Sequence, residues 1–411
     1  MQYGLIGEHL GHSYSPEIHG QLADYEYELK EIAPEDVDAF MKAKRFKAIN
    51  VTIPYKQTVI PYLDEISDQA RAIGAVNTIV NKDGHLWGGN TDFAGMAALA
   101  DKLGFDLKGS KVLILGTGGT SKTAAAVAAS KGAAEIYRVS RSGKDGAITY
   151  EQAAGLHSDA DFIINTTPAG MFPKVEGLAI DIKQFPKLKG VLDAVYNPLR
   201  TNLVLDAQEA GIAAEGGLYM LSAQAVYACG AFLGREMKAS DIDKAFGNVL
   251  AGKRNVVLIG MPSCGKTTIG KIIAEKTGKT FVDSDDKVIE KIGMEISDYF
   301  AREGEGAFRD REGEVIRELS LECGQVIATG GGAILRPANV RALKQNGIVI
   351  FMDRPLEKLI TTDDRPLSSS REALEKRYNE RYDIYRASAD VIVDAGGNIK
   401  EVTDAVMAAI K

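Results

Sequence analysis

Two glycine-rich turns, each following an apolar run and each opening a helix-like stretch, constrain this chain more than anything else in it. The first is KVLILGTGGTSKTAAAVAA, with Gly116, Gly118 and Gly119. The second is NVVLIGMPSCGKTTIGKII, running from Gly260 through Gly265, Lys266 and Thr267. A buried strand that feeds a glycine turn and then a helix start is a parallel α/β device. The free N–H groups and the positive helix end form a ready site for phosphate. The first turn fits a dinucleotide and the second fits an ATP P-loop. The two patterns differ, so they are not copies of one repeat.

At 411 residues the chain is too long for one ordinary domain and suits two or three. Its net charge of −7 argues against nonspecific nucleic-acid binding, which needs basic patches to neutralise phosphates. Cys229, Cys264 and Cys323 are widely spaced with no CxxC pair, so a reduced, cytoplasmic setting is expected. The start, MQYGLIGEHLGHSYSP, has neither the basic region nor the apolar core of a signal peptide, and no apolar run is long enough for a membrane span. His9, His12, His19, His85 and His157 form no metal-spaced cluster.

Short strand-like runs alternate with helical ones throughout, which predicts an α/β fold. YGLIG and KAINVTI read as strands and PEDVDAFMKAKRF as a helix. Residues 111–115, 135–139, 161–164 and 190–194 read as strands of a nucleotide-binding sheet. Residues 218–234 read as a helix with few charges, buried between lobes. The expected division is a substrate lobe over 1–100 completed by the helix near 218–250, a Rossmann lobe over 101–250, and a P-loop kinase domain over 253–411. A helix is expected to end near Leu250, with Gly252, Lys253 and Arg254 as a short polar hinge.

In the first half, Gly116, Thr117, Gly118, Gly119 and Thr120 form the phosphate turn, with Ser121 where a third glycine is usual. An NAD site places an acid at the end of the next strand for the ribose 2′-OH. Here that strand ends Ser140, Arg141, Ser142, and Arg141 with Lys122 suits the 2′-phosphate of NADP. Upstream, Ser13 and Ser15 lie in HSYSPEIH, Lys56 follows INVTIP, and Asp92 follows the glycines of LWGGNTDF. A lysine oriented by a carboxylate suits reduction of a ketone, because the lysine can supply the proton as the carbonyl becomes an alcohol. In the second half, Ser263, Cys264, Gly265, Lys266, Thr267 and Thr268 form the P-loop. Its N–H groups cradle phosphates, Lys266 reaches the β/γ oxygens, and the Thr267 hydroxyl ligates Mg²⁺.

HSYSP, NVTIPYK, GAVNT, GNTDFAG, GTGGTSK, VYNPLRT and YMLSAQA resemble, in order, the motifs of shikimate dehydrogenase. They cover residues 1 to about 250. The resemblance implies that Ser13 and Ser15 bind the substrate carboxylate and that Lys56 and Asp92 are the catalytic pair. It implies that Thr52, Asn77 and Gln224 hold ring hydroxyls, that Tyr196 lines the pocket, and that Gly217 and Met220 stand near the nicotinamide. The family's NADP strand commonly ends Asn-Arg-Thr. This one keeps only the arginine, so NADP remains favoured with weaker discrimination.

FVDSDDKVIE, GEGAFRDRE, ATGGGAIL, DDRPL and RYDIYRASAD resemble shikimate kinase, again in order. This implies that Asp283 supports Mg²⁺ and that Asp285 contacts the ring hydroxyls and activates the attacking one. It implies that Arg309 and Arg381 bind the substrate carboxylate, that Gly331 and Gly332 of the Gly330–Gly332 turn face substrate, and that Arg365 closes from a lid over the ATP phosphates. The lid segment EKLITTDDRPLSSS is short, and Lys358 stands roughly where the family often has an adenine-facing arginine. The two resemblances together imply a bifunctional enzyme of the shikimate pathway, using NADP(H), ATP and Mg²⁺ on 3-dehydroshikimate and shikimate, with no nucleic-acid or membrane partner. Two other readings stand beside it. One is an oxidative quinate/shikimate enzyme using NAD, which Arg141 speaks against. The other is a fusion in which one half is a noncatalytic nucleotide-binding module, which Lys56, Asp92, Lys266, Asp285 and Arg381 speak against.

Overall fold

The computed structural model describes residues 1–11, 13–360 and 371–411. The chain divides into two compact units, Met1–Val249 and Leu250–Lys411.

The first unit holds two sheets. One contains β1 (Tyr3–Gly7), β2 (Tyr27–Glu31), β3 (Ala48–Val51), β4 (Glu65–Ile66), β5 (Thr78–Lys82) and β6 (His85–Gly89), in the order β2-β1-β3-β5-β6-β4. β1, β2 and β3 run parallel, whereas β5 is antiparallel to β3 and pairs with β6 as a hairpin. The ends of β1 and β3 and the start of β5 therefore share one edge. The other sheet is all parallel: β7 (Lys111–Leu115), β8 (Glu135–Val139), β9 (Phe162–Asn165), β10 (Gly190–Asp193) and β11 (Ala213–Glu215), in the order β11-β10-β9-β7-β8. Its central strands are buried on both faces, which explains their continuous apolar runs.

The helix Leu218–Leu233 is buried along most of its length. It packs against the helix Thr91–Lys102 at Gly95, where a Cβ would meet the Met220 carbonyl oxygen at 2.6 Å. That close crossing brings Gln224 towards residues more than a hundred positions earlier in the chain.

The second unit is a parallel sheet of β12 (Asn255–Ile259), β13 (Thr280–Asp283), β14 (Gln325–Ala328), β15 (Gly347–Asp353) and β16 (Val391–Asp394), in the order β13-β14-β12-β15-β16. The expected polar hinge is not a loop. The helix Ala239–Lys253 takes Gly252 and Lys253 into its last turn, and the Arg254 N–H still bonds the Leu250 carbonyl at 2.8 Å. Only Arg254 separates that helix from β12. A single glycine costs a helix about 1 kcal/mol, too little to end one whose hydrogen bonds continue past it. Among the described residues, no helix is long and apolar enough to cross a membrane.

Candidate active sites

The shared edge of the first sheet gathers the residues singled out upstream. Ser13 and Ser15 follow β1, Thr52 and Lys56 follow β3, Asn77 precedes β5, and Asp92 lies in the first turn after β6. Lys56 Nζ donates to Asp92 Oδ2 at 2.6 Å, with the two side chains 16% and 11% exposed. Asn90 caps that helix by accepting the Phe93 N–H at 3.2 Å, and the helix start favours the carboxylate charge beside it. Asn77 Oδ1 accepts the Thr91 N–H at 2.7 Å, and the Thr91 hydroxyl reaches Gln224 Oε1 at 3.5 Å. The Ser13 hydroxyl accepts the Ser15 N–H at 3.2 Å, and Ser15 is buried at the start of the helix Ser15–Leu22. The Thr52 N–H is held by the Ile6 carbonyl at 2.9 Å. Tyr196 reaches this region from the second sheet: its ring lies 5.3 Å from that of Tyr14, and burial pushes its phenol up.

In the second sheet the chain steps from β7 to β8 on one side and to β9 on the other. The crevice beyond β7 is therefore a topological switch point, where ligands of such sheets bind. Gly116 there has φ +111°, and a Cβ on it would strike Thr166 Oγ1 at 2.7 Å. The departure at Ser121 closes the turn, since its buried hydroxyl donates to the Gly116 carbonyl at 2.7 Å. No side chain caps the helix Gly119–Ser130, and nothing lies within 4 Å of the Cβ positions at Gly118 or Gly119. With Thr117 and Thr120 beside them, these two glycines leave an uncovered helix start that fits a pyrophosphate. Arg141 is exposed just past β8, and Lys122 is half-buried in the adjoining helix. Ser140 is committed to its own turn, accepting the Gly143 N–H at 3.1 Å. Gly217 precedes the helix Leu218–Leu233 at a spot where a Cβ would meet the Ala194 carbonyl oxygen at 2.3 Å, and Met220 is buried in the following turn.

Asp193, at the end of β10, is fully buried. It accepts from Asn165 Nδ2 at 2.9 Å, from the Val195 N–H at 2.9 Å and from the Thr201 hydroxyl at 2.6 Å. Burial pushes its carboxyl up to about 6, against the pull of those three donors. This network ties the segment that carries Tyr196 to the end of β9.

In the second unit the loop after β12 has Gly260 at φ +148°, Ser263 at +65° and Gly265 at +100°. The helix Lys266–Thr277 starts uncapped behind Gly265, so its N–H groups face the loop, an arrangement that fits a polyphosphate. Lys266 is buried and donates to the carbonyls of Gly260 and Met261 at 2.9 and 3.0 Å. Cys264 is buried, and Thr268 is exposed next to Thr267. The Thr267 hydroxyl donates to Asp283 Oδ2 at 3.0 Å. Asp283 also caps the helix Ser284–Ile292 by accepting the Asp285 N–H at 3.1 Å.

The Gly330–Gly332 turn is the centre of the rest. A Cβ at Gly330 would stand 2.3 Å from Asp285 Oδ1, and one at Gly332 would stand 2.2 Å from Arg309 Nη1. The Gly331 carbonyl accepts from Arg381 Nη1 at 3.0 Å and from the Tyr385 hydroxyl at 2.5 Å. Asp285, Arg309 and Arg381 are thus brought to one turn. Arg309 is held bidentately by Glu312 at 2.9 and 3.0 Å and by Glu305 at 3.1 Å. Burial opposes its charge, but the two carboxylates outweigh this and raise its pKa. Burial raises the Glu312 carboxyl, against the pull of Arg309. Arg311, by contrast, is exposed and pairs with Glu314. Lys358 Nζ donates to the Gly396 carbonyl at 2.7 Å. Arg365 and the rest of 361–370 lie outside the described residues.

Sequence reasoning missed Thr91, Asp193, Ser284, Glu312 and Tyr385. Ser284 accepts the Gly330 N–H at 2.9 Å. Glu312 and Tyr385 were within reach of helical spacing, three residues after Arg309 and four after Arg381, on the same helix faces. Nothing local marks Thr91 as the bridge to Gln224.

A family model described as shikimate dehydrogenase substrate binding domain matches residues 5–79. A shikimate dehydrogenase (NADP(+)) from Clostridium beijerinckii is 37% identical over 243 residues, spanning 55% of this chain and 89% of that protein. The chain belongs to the shikimate dehydrogenase family. Its C-terminal unit carries a shikimate kinase domain, matched by the shikimate kinase family model over residues 262–411. The chorismate mutase/shikimate 5-dehydrogenase fusion protein from Clostridium acetobutylicum superposes with a TM-score of 0.57 at 34% identity, over 60% of this chain and 96% of that one. The Thermus thermophilus shikimate 5-dehydrogenase, solved with NADP(H) and shikimate, gives a TM-score of 0.55 at 26% identity, over 60% and 99% of the two chains.

Proposed function

We propose that the first unit reduces the C3 ketone of 3-dehydroshikimate to shikimate with NADPH, and that the second phosphorylates the new 3-hydroxyl from Mg²⁺–ATP. The observation that carries this reading is the Lys56–Asp92 pair, 2.6 Å apart on the edge that also presents Ser15, Asn77 and, through Thr91, Gln224. NADPH supplies the hydride and ATP the transferred phosphoryl group. Ser13 and Ser15 anchor the ring carboxylate, and Thr52, Asn77 and Gln224 orient the hydroxyls. Lys56 gives its proton to the C3 oxygen, and Asp92 keeps the ammonium aimed at that atom. Gly116–Thr120 hold the pyrophosphate, Arg141 and Lys122 meet the 2′-phosphate, and Gly217 and Met220 bound the nicotinamide end.

In the second unit Arg309 and Arg381 hold the same carboxylate, and Asp285 accepts the hydroxyl proton. The loop from Ser263 to Thr268 wraps the phosphates, with Lys266 on the β/γ oxygens. Thr267 and Asp283 would hold Mg²⁺. Among the described residues no group of three or more His, Cys, Asp or Glu forms a metal cage. A nucleotide-borne Mg²⁺ does not need one, because it takes one or two protein ligands and fills the rest with phosphate and water.

The test is a single incubation of the chain with 3-dehydroshikimate, NADPH, ATP and Mg²⁺, read by mass spectrometry, with NADH in a parallel run. Shikimate and its phosphate both accumulate, faster with NADPH. Shikimate without its phosphate refutes the kinase assignment, and equal rates with NADH refute the role given to Arg141.

A further inference from the structure

We propose that Tyr27 is a positioning residue for the ring-acid pocket of the dehydrogenase unit, holding Ser15 and Asn50 on one buried phenol. This inference rests on the reading that Ser15 anchors the substrate carboxylate. Tyr27 opens the edge strand β2, and it is the one residue of that strand whose side chain is buried. The imidazole of His19 stacks on its ring, with centroids 3.9 Å apart and planes 9° from parallel. His19 follows Ser15 by four residues in the same short helix, so the two lie on one face, one turn apart. The helix that carries the anchor serine therefore also clamps the ring of Tyr27.

The Tyr27 hydroxyl donates to Asn50 Oδ1 at 2.8 Å, and Ser15 is the other side chain that acts on the same phenol. Asn50 Nδ2 donates onward to the Asn77 carbonyl and to Thr78 Oγ1, both at 3.1 Å. The Thr78 hydroxyl lies 3.0 Å from Asn77 Oδ1 and 3.0 Å from Thr91 Oγ1, which faces Gln224. The His19–Tyr27 stack and this hydrogen-bonded run thus link the helix of Ser15, assigned to the substrate carboxylate, to Asn77 and Gln224, assigned to the ring hydroxyls. Ser15, Asn50, Asn77 and Thr78 are all buried, so water cannot replace a lost member. Burial keeps His19 neutral down to about pH 3, and its Nδ1 is bonded to the Tyr25 hydroxyl at 2.6 Å. The stack therefore does not change charge at working pH.

The test uses the full chain with Tyr27→Phe, which keeps the ring and its stacking and removes only the hydroxyl. KM for 3-dehydroshikimate is expected to rise roughly 5- to 100-fold, the effect of unpairing a buried neutral group. KM for NADPH stays at its wild-type value and reports an intact dehydrogenase unit. Ser15→Ala and the double variant complete a cycle. If Tyr27 acts through Ser15, the double variant is no worse than Ser15→Ala alone. An unchanged KM for 3-dehydroshikimate, an equal rise in KM for NADPH, or full additivity with Ser15→Ala overturns the proposal. Wild-type chain that turns over no 3-dehydroshikimate overturns the reading beneath it instead.

Discussion

Placing one methyl group on Gly332 should disarm the kinase domain without touching its catalytic groups. The backbone there has φ −103°, which alanine adopts freely, so the side chain itself is the whole perturbation. Its Cβ would stand 2.2 Å from Arg309 Nη1, 2.4 Å from Nη2 and 2.5 Å from Cζ. Ordinary contact needs roughly 3.5 Å between heavy atoms, so the guanidinium must retreat by about 1 Å. It cannot do so and keep both bonds to Glu312, at 2.9 and 3.0 Å, because that carboxylate is itself 1% exposed and fixed. A displacement of about 1 Å in a substrate-positioning group costs on the order of 10²-fold, or about 2.7 kcal/mol. Gly332→Ala is therefore expected to raise KM for shikimate, or lower kcat/KM, by about two decades. Gly331→Ala is the matched control: its Cβ meets nothing closer than Pro262 Cδ at 3.1 Å, so its effect should be several-fold at most. Steady-state phosphorylation at varied shikimate reads both, and KM for ATP in the same preparations reports folding of the kinase unit. Wild-type kinetics for Gly332→Ala, or equal losses in the two variants, would refute the placement of Arg309 on the substrate.

Lys56→Ala should lower 3-dehydroshikimate reduction by about 10²–10⁴-fold and leave phosphorylation intact, while Lys266→Ala should do the reverse. Assaying both reactions on each variant checks this, and loss of both activities in folded protein contradicts independent sites. Arg141→Ala should raise KM for NADPH by about tenfold and leave KM for NADH unchanged, since only the first carries the phosphate assigned to it. Asp193 makes a prediction about pH. Its carboxyl titrates near 6 in the folded chain and near 3.8 when unfolded, so folding takes up a proton between those values. Its stabilising contribution is then complete below about pH 4 and is lost as pH rises through about 6, by roughly 3 kcal/mol. Asp193→Asn removes that slope, so the difference in melting temperature between variant and wild type should grow in the variant's favour from pH 4.5 to 7 and then level off.

What could be read from the chain was local. The two glycine turns and the apolar strands before them are contiguous, and hydrophobic continuity plus backbone freedom is enough to identify them. Lys56 and Asp92 were nameable because each follows a strand, but only the parallel β1 and β3 and the reversed β5 bring them to one edge. The bridge from Thr91 to Gln224 spans 133 residues and depends on the absence of a side chain at Gly95, which no local pattern records. Gly-Lys-Arg at 252–254 looked like punctuation and was overruled by a helix whose hydrogen bonds continue to Arg254. Asp193 was invisible for another reason: its neighbours in sequence are apolar, and its partners Asn165 and Thr201 stand at other strand and helix ends.

Lys266 folds back onto the carbonyls of Gly260 and Met261, so its ammonium is already solvated by its own loop. The phosphate proposed for this lysine would meet an ammonium with two of its three N–H groups already engaged. The side chain proposed to meet the phosphate also ties down the Gly260 and Met261 carbonyls, so occupancy at Lys266 and the shape of residues 260–265 are bound together. The cation that would greet the nucleotide is also the clasp that shapes its cradle.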